Sequence, residues 1–281
     1  MITIFLIAVT GFEYLLVDPV AQRVGMGYAL AADGYSVNYN PAGLAYDTCG
    51  FYSASYLNYI AGTHFGYLGL ERNQLGVGAR YFYSGSMKKT DSQGNEYGSF
   101  GTHFIDLAVG KGLFFKDVGL GFSLKLIYER IDTLTCIGAG ADLGGMYYFP
   151  EYDLQVGLTL KNIGTTIKPF ISEREALPYE LNLSAAKHFR AGWIGLDLVK
   201  PALVDFGARV GGEYAINRLF CLRASYNSLL SSMRTGGNGL DILTGITVGF
   251  GIKVSPLNVD FSYAPYFDLG GGLRISVNIG G

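Results

Sequence analysis

The sequence predicts an all-β protein, a transmembrane antiparallel β-barrel of about fourteen strands that follows a compact, partly helical segment. Three observations support this class: alternating apolar and polar residues, a composition rich in glycine and aromatic residues, and connections whose lengths alternate. The clearest alternation runs from Val118 to Glu129, where Leu120 and Leu124 alternate with Ser123 and Lys125. A period of two over about a dozen residues indicates a strand with one apolar and one polar face, as in a sheet between lipid and water.

The composition excludes several other classes. Hydrophobic residues make up 49% of the 281 residues, yet no run reaches the roughly 18 apolar residues of a membrane helix. The chain has 41 glycines, 21 tyrosines and 18 phenylalanines, which suits bent, closely packed strands with aromatic girdles. The net charge of −2 argues against a nucleic-acid partner, since phosphate binding requires a basic excess. Cys49, Cys136 and Cys221 are too dispersed to predict a disulfide framework or a metal site.

The chain begins with a short apolar run, Met1 to Val9, that resembles the core of a secretory signal. No basic residue precedes this core, because the first one is Arg23, and no small-residue cleavage pattern follows it. We therefore expect residues 1–17 to be a residual signal or another N-terminal segment. A first strand or an unstructured start is the alternative.

The next segment, Asp18 to Ala45, lacks the alternation of the later ones. Ala31 to Gly34 is typical of a turn, and Asn40-Pro41 favours the start of another. Pro41 can open a short helical turn that Gly43 closes. The sequence predicts a compact, partly helical unit ahead of the sheet.

This opening also resembles a known family. The pieces that carry the resemblance are, in order, Gln22-Arg23-Val24-Gly25-Met26-Gly27, Ala31-Ala32-Asp33 and Asn40-Pro41-Ala42-Gly43-Leu44. Together they resemble the start of PorV/PorQ-family outer-membrane proteins, relatives of the FadL long-chain fatty acid transporters. The resemblance is tight over residues 1–45 and continues beyond them only as a pattern. It implies a fourteen-stranded barrel in the outer membrane of a Gram-negative-type bacterium. Residues 18–48 would be a hatch inside that barrel, residues 49–281 its wall, and Asn40, Pro41, Ala42 and Gly43 the hatch motif.

From Gly50 onward the alternation predicts fourteen strands, each near the roughly 9–11 residues that cross a bilayer at a tilt. The predicted strands are Gly50–Leu57, Gly62–Leu70, Gln74–Tyr83, Phe100–Val109, Val118–Glu129, Ile137–Phe149, Asp153–Asn162, Tyr179–Phe189, Trp193–Val199, Val204–Tyr214, Cys221–Asn227, Asp241–Val254, Leu257–Tyr263 and Leu273–Ile279. An even number is what bacterial single-chain barrels have.

The connections give an independent argument. In outer-membrane barrels short periplasmic turns alternate with longer external loops. Every even-numbered connection is short, whereas four odd-numbered ones are long and polar. The long ones are Ser84–Ser99, Ile163–Pro178, Ser228–Leu240 and Ala264–Gly272. Two odd connections, after Leu57 and after Val199, are short as well.

The polar strand faces carry charges of both signs. They are Arg80, Asp106, Lys125, Glu129, Asp142, Lys161, Asp197, Asp205, Arg209, Glu213, Arg223, Lys253, Asp260 and Arg274. Mixed signs at this density predict a plugged lumen in which acids and bases pair, with a selective polar pathway as the alternative. Rings of a single sign, as in ion-selective pores, are absent from the sequence.

Apolar residues in the long connections are candidates for binding partners. They are Phe170, Ile171, Leu229, Leu230, Met233, Tyr266 and Phe267. Exposed aromatic and methionine side chains are enriched where proteins dock partners or apolar ligands. The alternative is that these loops fold inward and cap the barrel.

Catalysis has little support in the sequence. His64, His103 and His188 lie on separate predicted strands, and no serine or cysteine stands at the spacing of a nucleophile motif. Glycine pairs such as Gly25-Met26-Gly27 lack the context of a dinucleotide site. We therefore expect no enzymatic activity, no cofactor and no metal.

The family resemblance implies a non-enzymatic role in protein secretion or surface attachment, as in type IX secretion. The partners would be outer-membrane lipids around the wall, and secreted cargo proteins or translocon subunits at the external loops. The main alternative is a FadL-like transporter that binds a hydrophobic ligand such as a long-chain fatty acid or a hydrocarbon; a third is a purely structural barrel. A secretion role predicts a lumen filled by the hatch. A transporter predicts an apolar pocket near Asn40-Pro41-Ala42 and a lateral gap in the wall.

Overall fold

The computed structural model describes residues 11–23, 29–30, 33–202, 204–237 and 239–280. The signal-like run Met1–Val9 lies outside these ranges, as do Val24–Gly27 and Ala31-Ala32 from the family resemblance. Within the described ranges, no helix has the length and apolar character needed to cross a membrane.

Fourteen antiparallel strands close into one barrel, because β14 pairs with β1. The strands are β1 Phe51–Asn58, β2 His64–Arg72, β3 Leu75–Thr90, β4 Glu96–Phe115, β5 Val118–Ile131, β6 Leu134–Phe149, β7 Leu154–Lys168, β8 Glu180–Phe189, β9 Gly192–Pro201, β10 Gly207–Ala215, β11 Phe220–Asn227, β12 Ile246–Val254, β13 Leu257–Pro265 and β14 Gly271–Gly280. Each predicted strand overlaps one of these. The predicted fold class is confirmed.

The two ends of the barrel differ. We call the end with the connections after the even-numbered strands the turn end, and the other the loop end. The wall from β3 to β7 has strands of 14 to 20 residues, whereas the others have 8 to 10. The tall wall rises at the loop end, where β3 and β4 stay paired as far as Thr90 and Glu96.

Several predicted strand boundaries are wrong. Most of the predicted loop Ser84–Ser99 is strand, and β7 continues to Lys168 into the predicted loop after it. Conversely, β12 begins at Ile246, after a 3-10 helix at Gly239–Leu243, and β10 begins at Gly207. The extensions of these long strands at the loop end are polar on both faces. They therefore lack the alternation of apolar and polar residues from which a strand is predicted.

The wall shows the predicted alternation of burial. Along β5, Lys125 and Glu129 point inward and are buried, while Leu124 on the outer face is 63% exposed. Outward apolar residues on this strand run from Val118 to Tyr128, eleven residues (128 − 118 + 1), between the exposed Lys116 and Arg130. This matches the roughly 9–11 residues of a tilted strand that crosses a bilayer.

An aromatic cluster lies on the outer face towards the loop end. His64 stacks between Tyr56 and Tyr83, and the Tyr56 hydroxyl lies 2.7 Å from His64 Nδ1. On the neighbouring strands, the Tyr81 hydroxyl lies 2.6 Å from His103 Nδ1. Amphipathic rings at this level are typical of the interfacial belts of membrane barrels.

The N-terminal segment lies inside the barrel. It contains a 3-10 helix at Glu13–Leu16, a short α-helix α1 at Ser36–Tyr39 and a second 3-10 helix at Pro41–Tyr46. Phe12, Tyr14 and Leu15 are buried against inward residues of the wall near the loop end. The inner segment, which we call the hatch, therefore includes residues 11–17, ahead of the predicted boundary at residue 18.

Candidate functional site

The predicted hatch motif forms a tight turn against the wall. The Asn40 side chain caps the 3-10 helix, since its Oδ1 accepts a hydrogen bond of 3.0 Å from the amide of Ala42. Its Nδ2 donates to the carbonyl of Gly145 on β6 at 3.4 Å. Pro41 occupies the first helical turn, where its missing amide costs nothing. Each of the four motif residues is buried.

Strand glycines make room for this motif. A methyl group at Gly121 on β5 would overlap the backbone of Pro41, and one at Gly112 on β4 would overlap that of Ala45. The wall and the hatch backbone are therefore in direct contact, because glycine has no side chain to keep them apart. Asn40, Pro41 and Ala42 line none of the main cavities of the described chain.

Polar side chains of the wall hold the remainder of the hatch. Arg80 Nη1 donates to the carbonyl of Leu15 at 2.8 Å, and Arg274 Nε donates to that of Asp18, also at 2.8 Å. Glu71 Oε1 accepts from the amide of Val37 at 2.9 Å. Within the hatch, Arg23 binds Asp33 with two hydrogen bonds, Nε to Oδ2 at 2.7 Å and Nη2 to Oδ1 at 2.5 Å. Burial lowers the pKa of Arg23, but Asp33 more than offsets it, so the net pKa of the guanidinium is raised.

Several of the predicted lumenal charges form ion pairs between strands. Lys125 Nζ lies 2.8 Å from Asp142 Oδ2, with both side chains almost fully buried. Arg209 Nη2 lies 3.1 Å from Glu180 Oε2. Arg223, Glu213, Lys253 and Asp260 form a cluster on β10 to β13. Buried charges that pair in this way agree with a plugged interior.

One lumenal assignment is wrong, and two residues are added. Asp205 is exposed and lies in the connection before β10, because the strand begins at Gly207 and the alternation does not reach back to it. Glu180 and Glu71 point inward but are missing from the predicted set. Glu180 follows the period of two set by Asn182, so the sequence contains the signal for it. Glu71 lies one residue beyond the end of the predicted second strand at Leu70, whereas β2 continues to Arg72.

A small polar cavity remains in the lumen beneath the loops. Its volume is about 90 Å³, and its lining includes Leu15, Arg80, Lys161, Glu180 and Tyr266. This volume admits a few water molecules or a very small solute. Leu15, Asp18 and Tyr39 of the hatch line the same cavity, so hatch and wall enclose it together.

The predicted partner loops divide into inward and outward residues. Tyr266 is buried, and Leu230 lines the lumenal cavity. These two residues therefore cap the barrel, which agrees with the alternative prediction that the loops fold inward. Phe170 packs against the core around Phe12. Leu229, Met233 and Phe267 are partly buried. Ile171, in contrast, is 85% exposed at the tip of its loop.

The sequence prediction omitted three other exposed apolar residues at the loop end. They are Phe206 at 79%, Ile242 at 70% and Leu240 at 56% exposure. With Ile171 they form what we call the apolar rim: four large side chains on three connections, after β7, β9 and β11. Phe206 and Ile242 fall within predicted lipid-facing strands, where exposed apolar residues are expected and do not indicate a binding surface.

The described part of the chain offers no metal centre. No group of three or more His, Cys, Asp or Glu side chains there is arranged to hold an ion. His64 and His103 lie on the outer face, each beside a tyrosine. Asp106 lies on the opposite, inner face of β4 from His103. Cys136 and Cys221 are buried free thiols, and Cys49 is exposed.

Solved structures share this architecture. A mutant of the TodX monoaromatic hydrocarbon channel superposes with a TM-score of 0.53 at 12% identity, over 91% of this chain and 97% of that one. The outer-membrane protein Omp33 of Acinetobacter baumannii gives 0.45 at 7% identity, over 82% and 96%. The chain has the fold of an outer-membrane β-barrel. It matches no protein-family model and no curated protein sequence.

Depressions lie on two sides of the described outer wall, one of about 500 Å³ over β1 to β4 and β14, and a larger one over β9 to β12. Ile194, Gly212, Ala224 and Val248 form one row across β9 to β12, and the two small residues leave a hollow of about 640 Å³. The four strands stay paired beneath it, so the depression is a dent in the lipid-facing surface and not a gap between strands.

Proposed function

We propose that this protein is a non-enzymatic, non-conducting barrel of the outer membrane of a Gram-negative-type bacterium, which docks protein partners at its loop end. The observation that carries the proposal is the filled lumen. The hatch packs directly on the strand backbone at Gly112 and Gly121, and the cavity left under the loops is about 90 Å³. A barrel through which no solute passes would act through its outer surfaces.

The apolar rim gives the proposed docking surface. External loops of such barrels are in water, and large apolar side chains exposed there are unfavourable unless something covers them. Ile171 and Ile242 are 85% and 70% exposed, above the strands that would lie in lipid. A protein partner that buried these two side chains would gain about 1.5–3 kcal/mol from each.

The resemblance of residues 1–45 to PorV/PorQ proteins suggests the class of partner. It favours a secreted cargo protein or a translocon subunit, and hence a role in secretion or surface attachment of the type IX kind. The filled lumen supports this role over transport.

The second candidate is transport of a hydrophobic small molecule, as in the FadL relatives. The overall likeness to a hydrocarbon channel and the dent beside Gly212 favour it. Two requirements of that role find no support in the described residues: the Asn40-Pro41-Ala42 motif is packed without a pocket, and all neighbouring strands are paired.

Site-specific photo-crosslinking in the native outer membrane tests the proposal. A photoreactive residue at Ile171 or Ile242 should capture the same protein partner, while one at the exposed Glu151 or Asn217 of the turn end should not. Reconstituted protein should show no conductance steps in planar bilayers. Capture of lipid alone at the rim, or loss of hydrocarbon uptake when the gene is deleted, would favour the transporter instead.

A further inference from the structure

A second pocket opens at the loop end beneath Ile171. It has a volume of about 250 Å³ and lies between the start of the hatch, at Gly11 and Phe12, and the connection that follows β7. Three carboxylates line it, from Glu129, Glu173 and Glu175. None of the ion pairs among the described residues includes any of the three.

Glu129 is the unusual member of this group. Its side chain is fully buried on the inner face of β5, opposite Cys136 in the strand pairing. Neither carboxylate oxygen has a hydrogen-bond partner in the described part of the chain. A buried carboxylate without a partner is strongly unfavourable, and a bound cation would remove that cost.

The surrounding groups converge on one point. The amide of Gly11 donates a hydrogen bond of 2.6 Å to Glu175 Oε2. A side-chain carbon placed on Gly11 would lie 3.1 Å from Glu129 Oε2, 3.5 Å from Phe170 Cε2 and 3.7 Å from Glu175 Oε2. Two carboxylates and an aromatic ring therefore border the same small volume.

Thr166 fixes Glu175 in this position. The amide and hydroxyl of Thr166 both donate to the carbonyl of Glu175, at 2.9 Å and 3.0 Å, and the amide of Glu175 lies 3.1 Å from the same hydroxyl. Hydrogen bonds to β7 thus hold the backbone of Glu175 in place, although this residue belongs to a loop.

We propose that this pocket binds an organic cation, an alkylammonium or alkylguanidinium group. A hard metal ion needs several oxygen ligands about 2.0–2.6 Å away, and no such set converges among the described residues. The pocket is instead wide and partly aromatic, with Phe12 and Phe170 beside the carboxylates. Carboxylate pairing combined with contact to an aromatic face suits guanidinium and ammonium groups.

The natural source of the cation follows from the proposed docking role and rests on it. Ile171 borders the pocket and is also the most exposed member of the apolar rim. A protein seated on the rim could therefore insert a lysine or arginine side chain between Glu129 and Glu175. Binding of the free cation does not depend on that role.

Calorimetric titration of the full chain in detergent micelles tests the site. The probe is n-butylguanidinium, its uncharged control is n-butylurea, and Ca²⁺ is titrated separately. We expect the guanidinium to bind and the urea not to. Glu129→Gln and Glu175→Gln should each weaken binding at least tenfold, whereas Glu151→Gln at the turn end should leave it unchanged.

The other outcomes overturn the proposal. Equal binding of n-butylurea would show an apolar pocket, tighter binding of Ca²⁺ would show a metal site, and absence of binding would show no site. If Glu129→Gln does not fold, two measurements still test the proposal: the comparison of n-butylguanidinium with n-butylurea on the native chain, and the affinity of Glu175→Gln. If the guanidinium binds but crosslinking from Ile171 captures no protein, the cation site stands and the docking function fails.

Discussion

Arg223 lies directly opposite Glu213 in the pairing of β10 with β11, and Nη2 of the arginine is 2.7 Å from Oε2 of the glutamate. The same guanidinium reaches β13, where Nη1 lies 2.5 Å from Asp260 Oδ1. Lys253 on β12 contacts the second oxygen of Glu213. One cluster thus ties together four consecutive strands from inside the lumen.

Replacing Arg223 should be costly. Arg223→Met leaves Asp260 buried without its cation, and removing one partner of a buried ion pair typically costs about 3–5 kcal/mol. The free energy of unfolding in urea, measured on protein in lipid vesicles, should fall by that order. The matched control is Lys88→Met, which breaks the exposed pair with Glu96 and should cost about 0–1 kcal/mol. Equal effects of the two substitutions would show that the lumen is hydrated at Arg223.

The contact between hatch and wall gives a second prediction. In Gly121→Ala the added methyl group meets the backbone of Pro41, which cannot move aside as a side chain can. Overpacking of this kind costs about 1–3 kcal/mol, so the thermal midpoint should fall and trypsin should cut faster after Arg23. The control is Gly145→Ala on the outer face of β6, where the new carbon would find its nearest neighbour, Leu120, at 3.9 Å. That variant should behave as the native protein does.

The lipid-facing band gives a third prediction. Leu124 is in the middle of the apolar stretch on β5 and is 63% exposed. An arginine at the bilayer midplane of a barrel costs about 2–4 kcal/mol, but only about 0–1 kcal/mol near the interface. Leu124→Arg should therefore destabilise the protein in vesicles far more than Leu134→Arg, next to the loop-end turn. If neither variant loses stability relative to the native chain, the outer face of β5 is not in lipid.

The connection between β11 and β12 should respond to acid. Asp241 Oδ2 accepts hydrogen bonds from the Thr235 hydroxyl at 2.8 Å, the Thr235 amide at 2.9 Å and the Gly236 amide at 2.8 Å. These bonds, that of the Thr235 side chain first, lower the pKa of Asp241. The stabilisation is therefore present above the ordinary aspartate pKa of about 3.9 and is lost as the pH falls through the lower folded value.

A spin label tests this expectation. Attached at Ser232→Cys in a Cys49→Ser background, it should be ordered at pH 7 and gain mobility as the pH falls below about 4. In Asp241→Asn the label should be more mobile at neutral pH and respond little to acid. A label that is equally ordered in both proteins across the whole range would remove Asp241 as the anchor.

Much of the fold could be predicted because alternation is a local signal. The side of the sheet on which Lys125 lies can be inferred from its neighbours Leu124 and Leu126 alone, without knowledge of the other strands. The same signal failed for Asp205, where the sequence already alternates although β10 does not begin until Gly207. It also failed for Tyr266, since the direction of a loop side chain has no periodic signature.

The sequence by itself determined the number of strands, the face on which most of the charges lie and the presence of a compact N-terminal unit. These follow from residue order over a dozen positions at a time. Only the tertiary structure decided that Arg223 bridges Glu213 and Asp260, that Gly121 touches Pro41, and that Glu129 stays unpaired beside Glu175. The physical reason is that ion pairing and close packing depend on strand register and on segments far apart in sequence, as with Gly11 and Glu175, 164 positions apart.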